Sequence, residues 1–275
     1  MSGPDLLVRP QLDLAFERRG NRTVLGRRIF SWPFVLARTF ALDTAPAHML
    51  TAILQTSAGA MHGEDRLEQR ISVGPSAAAH IATPGATAVH RAHAGAMTTE
   101  RVQLTVADGG YLEYMPEPRI LFADSALDTA LDLDCAPGAT AIVVDAFTLR
   151  DPTQDIGSYE SGLVVRRGGE PLVIDRLRLD RIEPRHFARY AAHGTVVIVA
   201  PLAAERLVDL SLALTAALAS QQGAYAAASP LPAGTGIGVR IAASGLRELR
   251  SCIDEVWRSI RLDLTGALPT SRGHA

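Results

Sequence analysis

The residues whose types and spacing could do chemistry fall in four stretches. His62, Glu64 and Asp65 set an imidazole beside two carboxylates within four positions, a donor set that suits nickel or zinc. His80, His90 and His93 lie close by, but eight histidines in 275 residues is ordinary. A His-x-x-His pair in a loop is more often a surface or capping pair than a metal site. The third stretch is Tyr111-Leu-Glu-Tyr-Met-Pro-Glu-Pro-Arg-Ile-Leu-Phe122, which puts Glu113, Glu117 and Arg119 between apolar residues. The fourth is a pair of acids inside apolar strands, Asp145 between Val144 and Ala146 and Asp175 between Val173 and Leu177. A buried acid must be hydrogen-bonded, paired or hydrated, and a structural Asp partnered by an Arg is the favoured reading at both positions. The functional alternative is an acidic, wet interior path.

The elements that must position these groups read as strands. Between about residues 13 and 200, short apolar runs alternate with Gly, Pro, Asp and Ser, an all-β pattern. Strands are expected at 23–30, 49–56, 67–73, 78–83, 127–134, 139–149 and 195–200. Two hairpins are expected, one from 102–106 through Asp108-Gly-Gly110 into Tyr111, the other from 163–167 through Gly168-Gly169 to 171–179. Pro116 and Pro118 lack the ladder N–H, so the strand that starts at Tyr111 must turn or run along an edge there, presenting Glu117 and Arg119 at the corner before the chain re-enters the interior at Ile120-Leu-Phe122. After Pro201 the pattern changes: Leu207, Leu210, Leu214 and Leu218 mark a helix over 202–221. Leu246, Leu249, Ile253, Val256 and Ile260 mark a second over 245–262, with Ser244 placed to cap it. Internal packing is the expected fate of the first helix. A strand at 236–242 separates the two. Gly234-Thr-Gly-Ile-Gly238 precedes a strand and has no Walker lysine, so it reads as a turn. No linker divides the chain, which predicts one domain over 1–275, a β body at 13–200 followed by a strand and two helices at 201–264, with 270–275 frayed.

Composition narrows the function classes. With 27 basic and 29 acidic residues the net charge is −2, giving no general electrostatic reason for a nucleic acid or an anionic membrane as partner. The N-terminus lacks a signal peptide's basic region and apolar block, and Cys135 and Cys252 form no CxxC, so a cytoplasmic location is expected. The most apolar run, 207–219, contains Asp209 and is too short for a membrane helix. The chain has no G-x-S-x-G elbow and no H-E-x-x-H, so a conventional hydrolase is not supported.

Three ordered motifs carry a resemblance. Gln55-Thr-Ser-Ala-Gly-Ala-Met-His-Gly-Glu-Asp-Arg-Leu67, Ala82-Thr-Pro-Gly-Ala-Thr87 and Tyr111-Leu-Glu-Tyr-Met-Pro-Glu117 with Ile120-Leu-Phe122 resemble the urease accessory protein D family, also called UreD or UreH. The closing helix with Trp257 is similar as well. The matching motif positions are Gly59, Gly63, Asp65, Thr83, Pro84, Gly85, Glu113, Pro116 and Glu117. Glu64 stands where the family usually has a second glycine, and a positive φ there would strain it. His90 replaces an aromatic, and Arg150-Asp151 a Gly-Arg.

The resemblance implies a mainly β fold, a helix-like winding of many short strands with two C-terminal α-helices packed on it. It implies a non-enzymatic maturation factor that binds apo-urease and recruits the F and G accessory proteins as the G protein hydrolyses GTP. No tightly bound cofactor is expected, and nickel would be held only in passing. Asp65, Glu64, His62 and Asp145 are then candidates to bind it transiently or to line a path, with Thr83, Glu113 and Glu117 as further lining groups, since weakly held ions suit carboxylates. Two rivals remain: a metal-dependent hydrolase on a β scaffold using His62, Glu64 and Asp65, and a non-catalytic β interaction module that docks a partner through the helix at 207–218.

Overall fold

A computed structural model describes residues 9–93, 95–154, 156–182 and 189–270; most of the 270–275 segment expected to fray lies outside them. The chain opens with β1 (Leu12–Arg19), β2 (Arg22–Phe30), β3 (Phe34–Phe40) and β4 (Leu50–Thr56). Three similar passes follow. The first is β5 (Ala60–Met61), β6 (Arg66–Val73) and β7 (Ala78–Ala82); the second is β8 (Thr87–Val89), β9 (Thr98–Val106) and β10 (Tyr111–Met115). The third is β11 (Arg119–Leu121), β12 (Ala126–Cys135) and β13 (Thr140–Leu149). Then come β14 (Ile156–Arg167), β15 (Glu170–Ile182), β16 (Ala192–Val199), α1 (Ala204–Leu218), β17 (Ala224–Pro230), β18 (Gly236–Ala243) and α2 (Leu246–Thr265).

Each pass puts its long middle strand in a first sheet, ordered β15-β14-β12-β9-β6-β1-β2, and its other strands in a second, with main path β17-β18-β16-β13-β10-β7-β4-β3. Successive passes pair in parallel, β6 with β9 and β9 with β12 on one side, β7 with β10 and β10 with β13 on the other. The result is the expected mainly β fold, a solenoid-like stack of coils with two helices packed on it.

Alternation along the strands builds two cores. Leu112, Tyr114, Ala141, Val143, Leu104 and Leu133 point between the sheets. Ile142, Val144 and Ala146 point the other way, against Leu207, Leu210, Leu214 and Leu218 of α1 and Leu249, Ile253, Val256 and Ile260 of α2. The apolar character of both faces of β13 follows from its place in a middle layer covered on each side. It also fixes Asp145 on the face between the sheets.

The structure corrects two local expectations. Residues 102–111 form no hairpin: β9 and β10 belong to different sheets, and Asp108-Gly-Gly110 is the corner between them. Corners of neighbouring coils bond to one another, Ser76 N–H to Asp108 O at 3.3 Å and Gly109 N–H to Gly138 O at 3.2 Å. Ser244 does not cap α2; Gly245 occupies the N-cap in extended conformation without a side-chain bond. The second expected hairpin is present, with β14 antiparallel to β15 and Gly168 and Gly169 at φ 60° and 86°. β17 was not anticipated; its alanines give no alternating signal.

Candidate functional site

The second sheet is interrupted where two motifs meet. Tyr114 to Arg119 spans five steps, against four from Val143 to Phe147 on one side and six from Ile81 to Thr87 on the other. Pro116 and Pro118 supply no ladder N–H, so pairing lapses here between β10 and β11 and beside it between β7 and β8. The rim is tied across the gap: Glu117 N–H donates to Thr83 Oγ1 at 2.9 Å, and Thr83 Oγ1 donates to Gly85 O at 3.3 Å. Arg250 of α2 holds the Glu117 carboxylate at 2.6 Å.

Two cavities meet at this gap. An inner one of about 470 Å³ lies between the sheets, and an outer one of about 600 Å³ lies under α2. Ala82, Thr83, Pro84, Gly85, Pro116 and Glu117 line both. The motif segments thus form a window in the middle layer.

On the inner side, Arg119 is only 7% exposed and its guanidinium lies between two acids. Its Nε and Nη2 donate to Glu100 Oε2 at 3.0 and 2.5 Å, and its Nη1 donates to Asp145 Oδ1 at 2.7 Å. Burial opposes the charge, but Glu100 and Asp145 outweigh it and hold the guanidinium protonated well above its ordinary value. Gln69 Nε2 donates to Glu100 Oε1 at 2.9 Å. Asp145 also accepts from Ser161 Oγ and, at 3.4 Å, from the Tyr159 hydroxyl. Burial raises the Tyr114 and Tyr159 hydroxyls, and neighbouring carboxylates add to it.

The outer side of the same sheet carries a second buried charge network. Arg261 of α2 donates from Nε and Nη2 to Glu113 Oε1 and Oε2, both at 2.6 Å, and from Nη1 to Asp43 Oδ1 at 3.1 Å. His80 Nδ1 lies 2.6 Å from Glu113 Oε2, and the Tyr111 hydroxyl donates to Glu113 Oε1 at 3.0 Å. Burial alone would raise the Glu113 carboxyl, but its bonds to His80 and Arg261 outweigh that and hold it at about 2. Thr270 N–H closes the network onto Asp43 at 3.0 Å.

The first motif builds a tight turn instead of a ligand cage. Asp65 Oδ2 accepts the His62 N–H at 2.8 Å, and Asp65 N–H returns a bond to His62 O at 3.0 Å. Gly63 is required by close approach, because a Cβ there would sit 2.7 Å from Ala92 Cα. Glu64 has φ 80°, the left-handed conformation that a family glycine would adopt without strain. The His62 ring stacks on His90 at 4.8 Å, and His90 leans on Phe122 at 4.9 Å. Gly59, at φ 61°, precedes β5 and lines the inner cavity.

Of the residues singled out by sequence, Thr83, Pro84, Gly85, Pro116 and Glu117 come together at the window, and Gly59 lines the inner cavity alone. His62, Glu64 and Asp65 stay in their own turn, and Asp145 belongs with Arg119. Among the described residues no group of three or more His, Cys, Asp or Glu is arranged to hold a metal ion. Asp175 is paired to Arg240 as an Asp–Arg reading requires. Sequence reasoning missed Glu100, Gln69, Asp43 and Arg261, and it treated Arg119 as presented at a corner when it is buried. The one available signal was helical spacing: Arg261 stands four residues after Trp257, on the buried face of α2.

A two-sheet β scaffold with a windowed middle layer, closed by charge networks, is the class of protein defined so far. Comparison with known families makes it particular. The family model described as UreD urease accessory protein matches residues 8–273, and the chain belongs to that family. It is 48% identical to the urease accessory protein UreD 2 of Bradyrhizobium sp. (strain BTAi1 / ATCC BAA-1182) over 256 residues, 92% of this chain and 89% of that protein. It is 35% identical to UreD of Mycolicibacterium smegmatis over 250 residues, 90% of this chain and 88% of that protein. It is 31% identical to UreD 1 of Methylorubrum extorquens (strain PA1) over 277 residues, 98% of this chain and 93% of that protein. Membership gives the chain a role in urease maturation, among urease and other accessory proteins. No helix among the described residues is long and apolar enough to cross a membrane.

Proposed function

We propose that this chain is a non-catalytic urease maturation factor of the cytoplasm. It binds apo-urease, recruits the F and G accessory proteins, and hands nickel on during GTP-dependent insertion, with no tightly bound cofactor of its own and no nucleic acid or membrane partner. The observation that carries the reading is the window: the residues that mark the family motifs, Thr83, Pro84, Gly85, Pro116 and Glu117, line the two cavities that adjoin it.

A nickel ion crossing the window meets the oxygen donors Thr83 Oγ1 and the Glu117 carboxylate at the rim, then Glu100 and Asp145 between the sheets. Oxygen ligands of this kind exchange readily, which a carrier needs because it must release its cargo. Asp65, Glu64 and His62, in a turn of their own, would at most meet the ion transiently at the surface. Glu113, engaged by Arg261, fixes the strand that carries the rim.

The test is co-expression with apo-urease and the F and G proteins, followed by purification through this chain and assay of nickel-dependent urease activity. A co-purifying complex and activity that depends on this chain are expected. Failure to co-purify with any of the three would end the assignment, and a single tight nickel site with hydrolytic turnover by this chain alone would favour the enzyme rival.

A further inference from the structure

Beyond the inner cavity lies a third space, a cleft of about 230 Å³ at the far opening between the sheets, lined by Asp145, Tyr159, Ser161, Asp175, His193 and Arg240 among others. Its lining shares no residue with that of the inner cavity. What stands between them is the side chain of Arg119. Its guanidinium bonds Glu100, which lines the inner cavity, on one side and Asp145, which lines the cleft, on the other.

This arrangement places one positive charge between two carboxylates where water is scarce, with Glu100 5% and Arg119 7% exposed. Gln69 and Ser161 satisfy further carboxylate oxygens, so the acids are oriented toward the centre even without the guanidinium. A monovalent ion gains nothing by exchanging with the guanidinium. A divalent ion supplies the second positive charge that the two carboxylates lack, and hard carboxylate oxygens suit it. The displaced side chain has room in the inner cavity that it already lines.

We propose that Arg119 is a displaceable plug between the inner cavity and the far cleft, and that a divalent cation passes by taking its place between Glu100 and Asp145. The proposal rests on the maturation reading for the identity of the cargo, but its geometry stands on this chain alone. Arg119 therefore sets the selectivity for charge: it admits a dication that can outcompete a guanidinium and turns monovalent ions away.

The test is calorimetric titration of the purified full chain with Ni²⁺ alone, comparing wild type, Arg119→Gln and Arg119→Gln/Asp145→Asn. Arg119→Gln is expected to bind Ni²⁺ at least about tenfold more tightly than wild type, since the ion no longer competes with a fixed counter-charge. Adding Asp145→Asn should abolish the gain, and K⁺ should not compete. Ni²⁺ should also raise the melting temperature of Arg119→Gln but not that of wild type. If Arg119→Gln fails to fold, Arg119→Lys, which keeps the charge but loses the two-sided fork, should show a smaller gain of the same sign. A folded Arg119 variant with no gain in Ni²⁺ binding, or a gain that survives Asp145→Asn, overturns the plug. Failure of the wild-type chain to support urease activation would count against the maturation reading instead, because the titration does not depend on urease.

Discussion

Arg261 and Glu113 meet through two 2.6 Å hydrogen bonds with neither side chain exposed to solvent. The pair joins α2 to the motif strand β10; the same guanidinium also bonds Asp43 and Ala45 O, and Thr270 N–H donates to Asp43 in turn. Removing one partner leaves a buried charge uncompensated, so Arg261→Met is expected to cost roughly 3–5 kcal/mol in urea unfolding. The double variant Arg261→Met/Glu113→Gln should recover a large part of that loss. Strictly additive costs would mean the two residues do not act as a pair.

The same pair sets an acid limit. Glu113 is held near 2, below its ordinary value of 4.5. A depressed carboxylate contributes stability that is present above the unfolded value and lost as pH falls toward the folded one. Urea midpoints should therefore drop between about pH 4.5 and 2, and Glu113→Gln should flatten that part of the profile at the cost of lower stability near neutrality. An unchanged acid slope in Glu113→Gln would assign acid sensitivity to other groups.

Glu64 is a strained non-glycine at φ 80°. Glu64→Gly should relieve a left-handed penalty of roughly 1–2 kcal/mol while losing part of it to the greater freedom of unfolded glycine, leaving a small net gain in melting temperature. Gly63→Ala, one residue away, should cost about 1–3 kcal/mol because its Cβ would collide with Ala92 backbone. A fall in stability on Glu64→Gly would show that the carboxylate earns its place through contacts of its own.

Much of this fold was legible in the chain, and the failures have physical causes. The leucine spacing of α1 and the face of α2 stood out because each helix buries one stripe against the second sheet. Gly168-Gly169 was read correctly because two positive φ angles are what a tight antiparallel turn demands. Asp108-Gly-Gly110 carries the same turn chemistry yet serves as a corner between sheets, and short-range sequence does not distinguish the two. Parallel pairing between coils leaves no local signature at all. Asp145 was recognisable as a buried acid, but its partner Arg119 had been placed at an exposed corner. The contribution of Glu100 was hidden in an alternating strand where a charged residue usually faces water.

The window gives the most direct measurement. Gly85 lines both cavities, its φ lies outside the left-handed region, and a Cβ built on it meets nothing within 4 Å. Gly85→Phe therefore brings a ring to the opening with no clash at its Cβ and no left-handed backbone strain. Nickel-dependent urease activation should be measured with this variant in complex with apo-urease and the F and G proteins. With the window as the nickel route, Gly85→Phe keeps wild-type melting temperature and complex assembly while the activation rate falls by at least about tenfold, the loss expected when a required passage is blocked. Full activation by a folded, assembled Gly85→Phe chain would contradict passage through the window.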